Sequence, residues 1–326
     1  MQRFSTGVII FPRKFLLLGA ALAVFCGALT NTRGALASIT VDATTGHVLA
    51  QENPSKKRQV GSLTKIATAM VVLDWAARQS GDLAQVASIP PAAFVGTSEN
   101  AVGFQPGDLI TLRDLLYAAL VQSDNVAAYT LADYVGAHLT IVRPENARAT
   151  PADFFVQQMN ALALHLGMIR TRFLNPSGID TKEKPFSTAA DMARLTRYAM
   201  NNAGFRFYVS QKQREISFTR GPAHMRYLLR NTNELLGTNG IDGVKTGRTP
   251  RAGDCLILSA ARPSEVVVRG TTSFVTPRRL IVVLLGSTDR FGEGAQLLAQ
   301  GWELYDQWVT AGRPNDASES LTSPNE

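Results

Sequence analysis

The sequence is poor in the residues from which metal and redox centres are built: it has two cysteines and four histidines in 326 residues. Cys26 falls in an N-terminal apolar stretch and Cys255 in a strand-like one, so once a leader is removed no intramolecular disulfide can form. Phe25, directly ahead of Cys26, argues against a lipoprotein attachment site. The apolar surroundings of Cys255 predict a buried, inert thiol. His47, His138, His165 and His224 are scattered without ligand spacing, which argues against a zinc site and leaves little material for a Ser-His-Asp triad. Neither a metal nor a cofactor is expected. Dense basic runs are scarce as well. Lys56-Lys57-Arg58 has no aromatic residues interleaved with it, so nucleic acid is a poor partner despite an isoelectric point of 9.6.

The longest apolar run, residues 15–29, is short for a membrane span. Arg3, Arg13 and Lys14 precede it, and Ala35-Leu36-Ala37 offers a small-x-small cleavage site. Residues 1–37 therefore read as a secretory signal cleaved after Ala37, and a membrane contact is expected only if that signal stays uncleaved. Four of the 33 basic residues and none of the 26 acidic ones lie in this leader, so the remainder has 29 against 26, or +3. A mildly basic exported protein suits an anionic polymer of the periplasm or cell envelope.

What is present is a helix hydrophobic nearly all round. Residues 66–75 contain no proline or glycine and follow Val60-Gly61-Ser62-Leu63-Thr64-Lys65. Ser62 and Lys65 lie one turn apart on one face, a hydroxyl beside an amine at a helix N-terminus. The positive helix end and burial both disfavour an ammonium there, so the lysine can serve as a neutral base. Taken alone, the serine reads more simply as a helix cap.

Around this helix the chain alternates in character. Residues 38–51 read as a hairpin about Gly46. Residues 82–110 are irregular, with a polar run at 96–100 able to overhang a site. Thr111 caps a helix to about Gln122; Ser123-Asp124-Asn125 breaks it, and taken alone this triplet is a polar turn capping the helix at 126–135. Thr150 and Thr188 cap two further helices, the first with Pro151 at its opening position. Strand character returns at 214–219, 244–247, 255–260 and 280–285, and residues 290–309 form a closing helix with Leu297, Leu298, Trp302, Tyr305 and Trp308 on one side. The stretch 262–278 is longer than a tight hairpin needs and has no assigned role. The fold class is α/β: a mostly antiparallel sheet flanked by helices, with an inserted helical lobe. The expected lobes are a sheet lobe at 38–81 and 205–310 and a helical lobe at 82–204, with 311–326 a disordered tail.

Three distant pieces then combine: Ser62-x-x-Lys65, Ser123-Asp124-Asn125 and Lys245-Thr246-Gly247, in that order. With residues 230–236, 242–247, 252–256, Asn175-Pro176-Ser177-Gly178 and Ser187-Thr188-Ala189, they make the chain resemble the low-molecular-mass penicillin-binding proteins, serine D-Ala-D-Ala carboxypeptidases of peptidase family S11. The resemblance covers residues 38–310 and implies a β-lactamase/transpeptidase-like fold. It implies that Ser62 attacks the peptide bond between two terminal D-alanines, Lys65 takes its proton, and Ser123 relays a proton to the leaving nitrogen. Asn125 would bind the substrate amide, and Lys245 and Thr246 the terminal carboxylate. Gly247 would let the substrate lie along its strand, and the N–H groups of Ser62 and Arg248 would form the oxyanion hole. Peptidoglycan stem peptides become the implied substrate and β-lactams covalent inhibitors. Arg248 and Asp254 depart from the aromatic or histidine residues usual at those positions.

Rival readings share parts of this. A D,D-endopeptidase cutting cross-links uses the same residues. A class A-like β-lactamase needs a further glutamate followed by asparagine; residues 151–178 contain none, and Glu145-Asn146 comes only 20 residues after Asn125. A non-catalytic penicillin-binding protein would be expected to have lost Ser62, Lys65 or Lys245, all of which are present.

Overall fold

Two apolar runs, 255–260 and 280–285, decide the architecture, because a continuously hydrophobic strand needs cover on both faces. The computed structural model describes residues 34–78, 82–97, 100–139, 149–314 and 320–321. Most of the expected signal, Cys26, Ser98-Glu99, Glu145-Asn146 and most of the 311–326 tail lie outside the described residues. The chain runs through β1 (Ala37–Asp42), β2 (Val48–Glu52), α1 (Lys65–Arg78), β3 (Val86–Ser88), β4 (Leu109–Thr111), α2 (Leu112–Val121), α3 (Asn125–His138) and α4 (Pro151–His165). It continues through α5 (Ala189–Asn201), α6 (Ala203–Val209), β5 (Gln213–Arg220), β6 (Ala223–Arg230), β7 (Ile241–Thr249), β8 (Gly253–Arg269), β9 (Thr272–Ser287) and α7 (Arg290–Thr310).

The two runs become the adjacent strands β8 and β9 of a five-stranded antiparallel sheet of order β2-β1-β9-β8-β7. The period of two along each strand divides their side chains between two cores. Cys255, Ile257, Ile281, Val283 and Leu285 face α1 and α5, whereas Leu256, Leu258, Leu280, Val282 and Leu284 face α7. On α7 the stripe Leu298, Trp302, Tyr305 and Trp308 is buried against that second face, each large side chain contributing about 2 kcal/mol. The Cys255 thiol is fully buried, and burial pushes its pKa up to about 11, which makes it the inert group expected. No described helix is long and apolar enough to cross a membrane.

The lobes differ from the sequence expectation. β3 and β4, three residues each, pair with β5 and β6 in a second antiparallel sheet of order β3-β4-β5-β6. Residues 82–204 are thus less purely helical than expected, and β5 and β6 belong with them rather than with the main sheet. The folded domain also begins ahead of residue 38: Ala35 and Ala37 are buried, and Ala37 pairs with Leu285 in β1. At 320–321, within the stretch expected to be a disordered tail, Ser320 bridges to His47 and the Leu321 N–H donates to the Gly46 carbonyl. The stretch 262–278 is a continuation of β8 and β9 beyond the sheet, a two-stranded ribbon from Arg262↔Arg278 to Arg269↔Thr272.

Candidate active site

The chain enters α1 through a tight 3-10 turn, Gly61–Thr64, so Ser62 precedes the helix and Lys65 is its first residue. No side chain caps this turn. The serine instead meets the lysine: Lys65 Nζ lies 2.9 Å from Ser62 Oγ. The Lys65 side chain is fully buried, and Ser62 is 8% exposed at the floor of a cleft. Two further oxygens surround the amine, Asn125 Oδ1 at 2.6 Å and the Ser177 carbonyl at 2.9 Å. Both are acceptors only toward Nζ, so they take two N–H groups. The third direction, toward Ser62, is the one along which a neutral amine would hold its lone pair and receive the hydroxyl proton.

Each partner is delivered by its own device. Asn125 opens α3 directly after Asp124, whose carboxylate caps that helix by accepting from the Ala127 N–H at 2.8 Å. The cap reading of this triplet therefore holds, and the residue after the cap, Asn125, is the one that meets Lys65. Asp124 also accepts from the Val102 N–H at 3.2 Å; burial pushes its carboxyl above the usual range, against the pull of these hydrogen bonds and of Lys65. Ser123 takes a left-handed φ of 67°, a strained backbone for a non-glycine residue, and lines the cleft together with Ser62, Thr246 and Arg248.

Ser177 belongs to a turn that the sequence reading quoted without giving it a role. Asn175 Oδ1 accepts from the Gly178 N–H at 2.6 Å, and Thr68 Oγ1 of α1 donates to the Pro176 carbonyl at 2.6 Å. These bonds fasten the turn to α1 and aim the next carbonyl at Lys65. Gly178 has a φ of +83° and passes against Gly61, so no side chain fits there. Thr97 was likewise missed: its Oγ1 accepts from Asn125 Nδ2 at 3.0 Å and orients the amide.

β7 forms the opposite wall. A Cβ on Gly247 would come within 2.6 Å of the Val60 carbonyl, so this glycine serves the approach of β7 to the turn that carries Ser62. By the period of two, Lys245 projects on that same face, where it is 1% exposed and its Nζ donates to the Thr246 carbonyl at 3.1 Å. Thr246 Oγ1 lies 2.7 Å from Thr232 Oγ1. The two departures noted in the sequence, Arg248 and Asp254, are cross-strand partners in β7 and β8, with Arg248 Nε 3.2 Å from Asp254 Oδ1. Arg290, at the start of α7, stands 3.5 Å from the same oxygen and donates to the Gly247 carbonyl at 3.3 Å. The structure thus brings Ser62, Asn125 and Arg248 to one cleft of about 810 Å³, and Ser62, Ser123, Thr246, Gly247 and Arg248 to an adjoining one of about 450 Å³.

A profile of peptidase family S11, D-alanyl-D-alanine carboxypeptidase, matches residues 28–270. The chain is 31% identical over 293 residues to the D-alanyl-D-alanine carboxypeptidase DacC of Escherichia coli, covering 86% of this chain and 64% of that protein. It is 34% identical over 229 residues to a D-alanyl-D-alanine endopeptidase of Pseudomonas aeruginosa, covering 68% of this chain and 65% of the relative. The chain therefore spans about two thirds of the length of each of these relatives. Among solved structures, the Streptomyces K15 DD-transpeptidase superposes with a TM-score of 0.70 at 29% identity, over 83% of this chain and 97% of that one. The mixed sheet-and-helix fold is the β-lactamase/transpeptidase one, and the chain belongs to peptidase family S11, the D-alanyl-D-alanine carboxypeptidases.

Proposed function

We propose that this protein is a serine D-Ala-D-Ala carboxypeptidase that removes the terminal D-alanine from peptidoglycan stem peptides outside the cytoplasmic membrane. The observation that carries the reading is the Lys65 amine, fully buried and held by Asn125 and the Ser177 carbonyl while facing Ser62 Oγ at 2.9 Å. Ser62 Oγ adds to the carbonyl carbon of the penultimate D-alanine as Lys65 receives its proton. The backbone N–H groups of Ser62 and Arg248 stabilise the developing oxyanion. As the C–N bond breaks, the proton reaches the leaving nitrogen by way of Ser123, and free D-alanine departs. Water then adds to the Ser62 ester, restoring the hydroxyl and releasing the shortened peptide. Lys245 and Thr246 supply the cation and hydroxyl that favour a substrate ending in a free carboxylate. A β-lactam, which presents a strained amide beside a carboxylate, enters the same path and stops at the ester.

A second reading, a D,D-endopeptidase, is favoured by the volume of the cleft and by the similarity to the Pseudomonas endopeptidase. One experiment addresses both. The purified protein and its Ser62→Ala variant are exposed to a fluorescent penicillin and to purified muropeptides, and the products are weighed by mass spectrometry. Carboxypeptidase action takes one alanine from pentapeptides; endopeptidase action splits dimers into monomers. Labelling that persists in Ser62→Ala refutes the nucleophile.

A further inference from the structure

The cleft has two compartments that meet at Ser62. The smaller runs past Ser123, Thr232, Thr246 and Arg290, and the larger past Asn125, Asp180, Thr249 and Asp254. The inference that follows rests on Ser62 being the nucleophile of a D-Ala-D-Ala peptidase. With the terminal carboxylate at Thr246, a substrate laid antiparallel to β7 runs back past Arg248 and Thr249. Its acyl half, including the residue ahead of the two D-alanines, then lies in the larger compartment.

Three charged side chains line that compartment without serving the chemistry at Ser62. The Arg248 side chain is 77% exposed, and its inner nitrogen Nε lies at ion-pair distance, 3.2 Å, from Asp254 Oδ1, which leaves the two terminal nitrogens for a ligand. Asp180 is fixed on the other side by two donors, Thr249 Oγ1 at 2.9 Å and the Arg251 N–H at 3.2 Å. Each donor uses one of about four acceptor positions on a carboxylate, so Asp180 keeps acceptors for a third partner. No cationic side chain among the described residues lies within ion-pairing distance of Asp180. The compartment therefore offers a planar cation and a separate anion, the anion already held by two hydrogen bonds.

We propose that Arg248 and Asp180 form a specificity site for the substrate residue ahead of the two D-alanines, selecting a side chain that ends in both a carboxylate and an ammonium. The carboxylate meets the Arg248 terminal nitrogens and the ammonium meets Asp180. A side chain ending in an amine alone satisfies Asp180 but brings its charge beside the Arg248 guanidinium, so it gains less than the zwitterion.

The test measures kcat/KM for D-alanine release from two pentapeptides that differ only at the third residue, meso-diaminopimelate or L-lysine. Wild type, Arg248→Gln and Asp180→Asn are compared, with penicillin acylation rates taken on the same preparations. The wild type is expected to prefer the diaminopimelate peptide by about tenfold, the worth of one partly exposed charge-assisted bond, and each variant to retain a preference of about twofold. A wild type that acylates with penicillin but cleaves both peptides with equal kcat/KM overturns the specificity site and leaves the peptidase reading standing. A full preference that survives in both variants overturns it too. A wild type that neither acylates nor releases D-alanine overturns the peptidase reading, and this inference with it.

Discussion

Lys65 Nζ lies 2.6 Å from Asn125 Oδ1, a contact between the first residue of α1 and the first residue of α3. An amide oxygen is the acceptor that suits a lysine meant to give up its proton. It satisfies an N–H whether the amine is charged or neutral, and it adds no negative charge to hold the proton in place.

Asn125→Asp tests that choice. A carboxylate at this distance favours the ammonium, so the lysine yields its proton only at higher pH. Acylation by penicillin at neutral pH should fall about a hundredfold, and the acid limb of the pH–rate profile should move upward. An unchanged profile, measured by stopped-flow labelling, would show that Asn125 is not setting the charge state of Lys65.

Much of this was legible in the chain, for reasons that differ by residue. Ser62 and Lys65 could be paired because residues three apart share a helix face, and the runs 255–260 and 280–285 could be read as strands because they are almost continuously apolar. Other parts leave no mark. The Ser177 acceptor is a backbone carbonyl, which every residue has, and only the fastening of its turn by Asn175 and Thr68 makes it special. Thr97 sits in a polar loop whose composition says nothing of its aim. β3 and β4 span three residues each, too few for a period to emerge, so they were absorbed into the helical lobe while β5 and β6 were counted with the main sheet. The pairing of Arg248 with Asp254 depends on the register of β7 against β8, which neither strand reveals alone.

Gly247→Ala examines how β7 meets the nucleophile turn. The added methyl would stand 2.6 Å from the Val60 carbonyl and 3.2 Å from Leu63 Cγ. The first neighbour is backbone and cannot rotate away, so β7 or the turn must shift. Overpacking of this kind costs about 1–3 kcal/mol, seen as a lower midpoint in urea unfolding. Penicillin acylation should fall more than tenfold, because a displacement of an ångström at Ser62 spoils the line to Lys65. Normal acylation alongside lowered stability would separate the packing role from the catalytic one.

The Asp108–Arg220 pair gives a stability prediction with a sign. Burial pushes the Asp108 carboxyl up, but the Arg220 guanidinium, bonded to both oxygens at 2.9 and 2.8 Å, and the Gln105 N–H at 2.8 Å together outweigh it and hold the carboxyl below its ordinary 3.8. A depressed folded value means that the stabilisation is complete above 3.8 and disappears as pH falls through the folded value. Arg220→Gln should therefore destabilise the protein at neutral pH, and the gap from wild type should close in strong acid. Urea unfolding at a series of pH values reads this directly; a gap that widens toward low pH would reverse the assignment.

The ribbon at the end of β8 and β9 lends itself to removal. Val266, Val267, Val268, Phe274 and Val275 are all more than 40% exposed, so they add nothing to either core. The pairs of Arg262 and Arg278 with Asp306 sit at its base and would be kept, and among the described residues only the Glu265–Arg313 ion pair would be lost with residues 263–277. Replacing residues 263–277 by Asn-Gly rejoins strands already opposed at Arg262↔Arg278 through a two-residue turn of the favoured hand. Exposed pairs of this kind contribute about 0–1 kcal/mol, so thermal stability should stay within that range. Penicillin acylation should be unaffected, since Ser62, Lys65 and β7 take no support from the ribbon. Solubility should rise, because the excised strands carry unpaired edges and an apolar surface on both faces. A large drop in stability would instead mean that β8 and β9 depend on the ribbon for their register, making it a part of the sheet rather than an appendage to it.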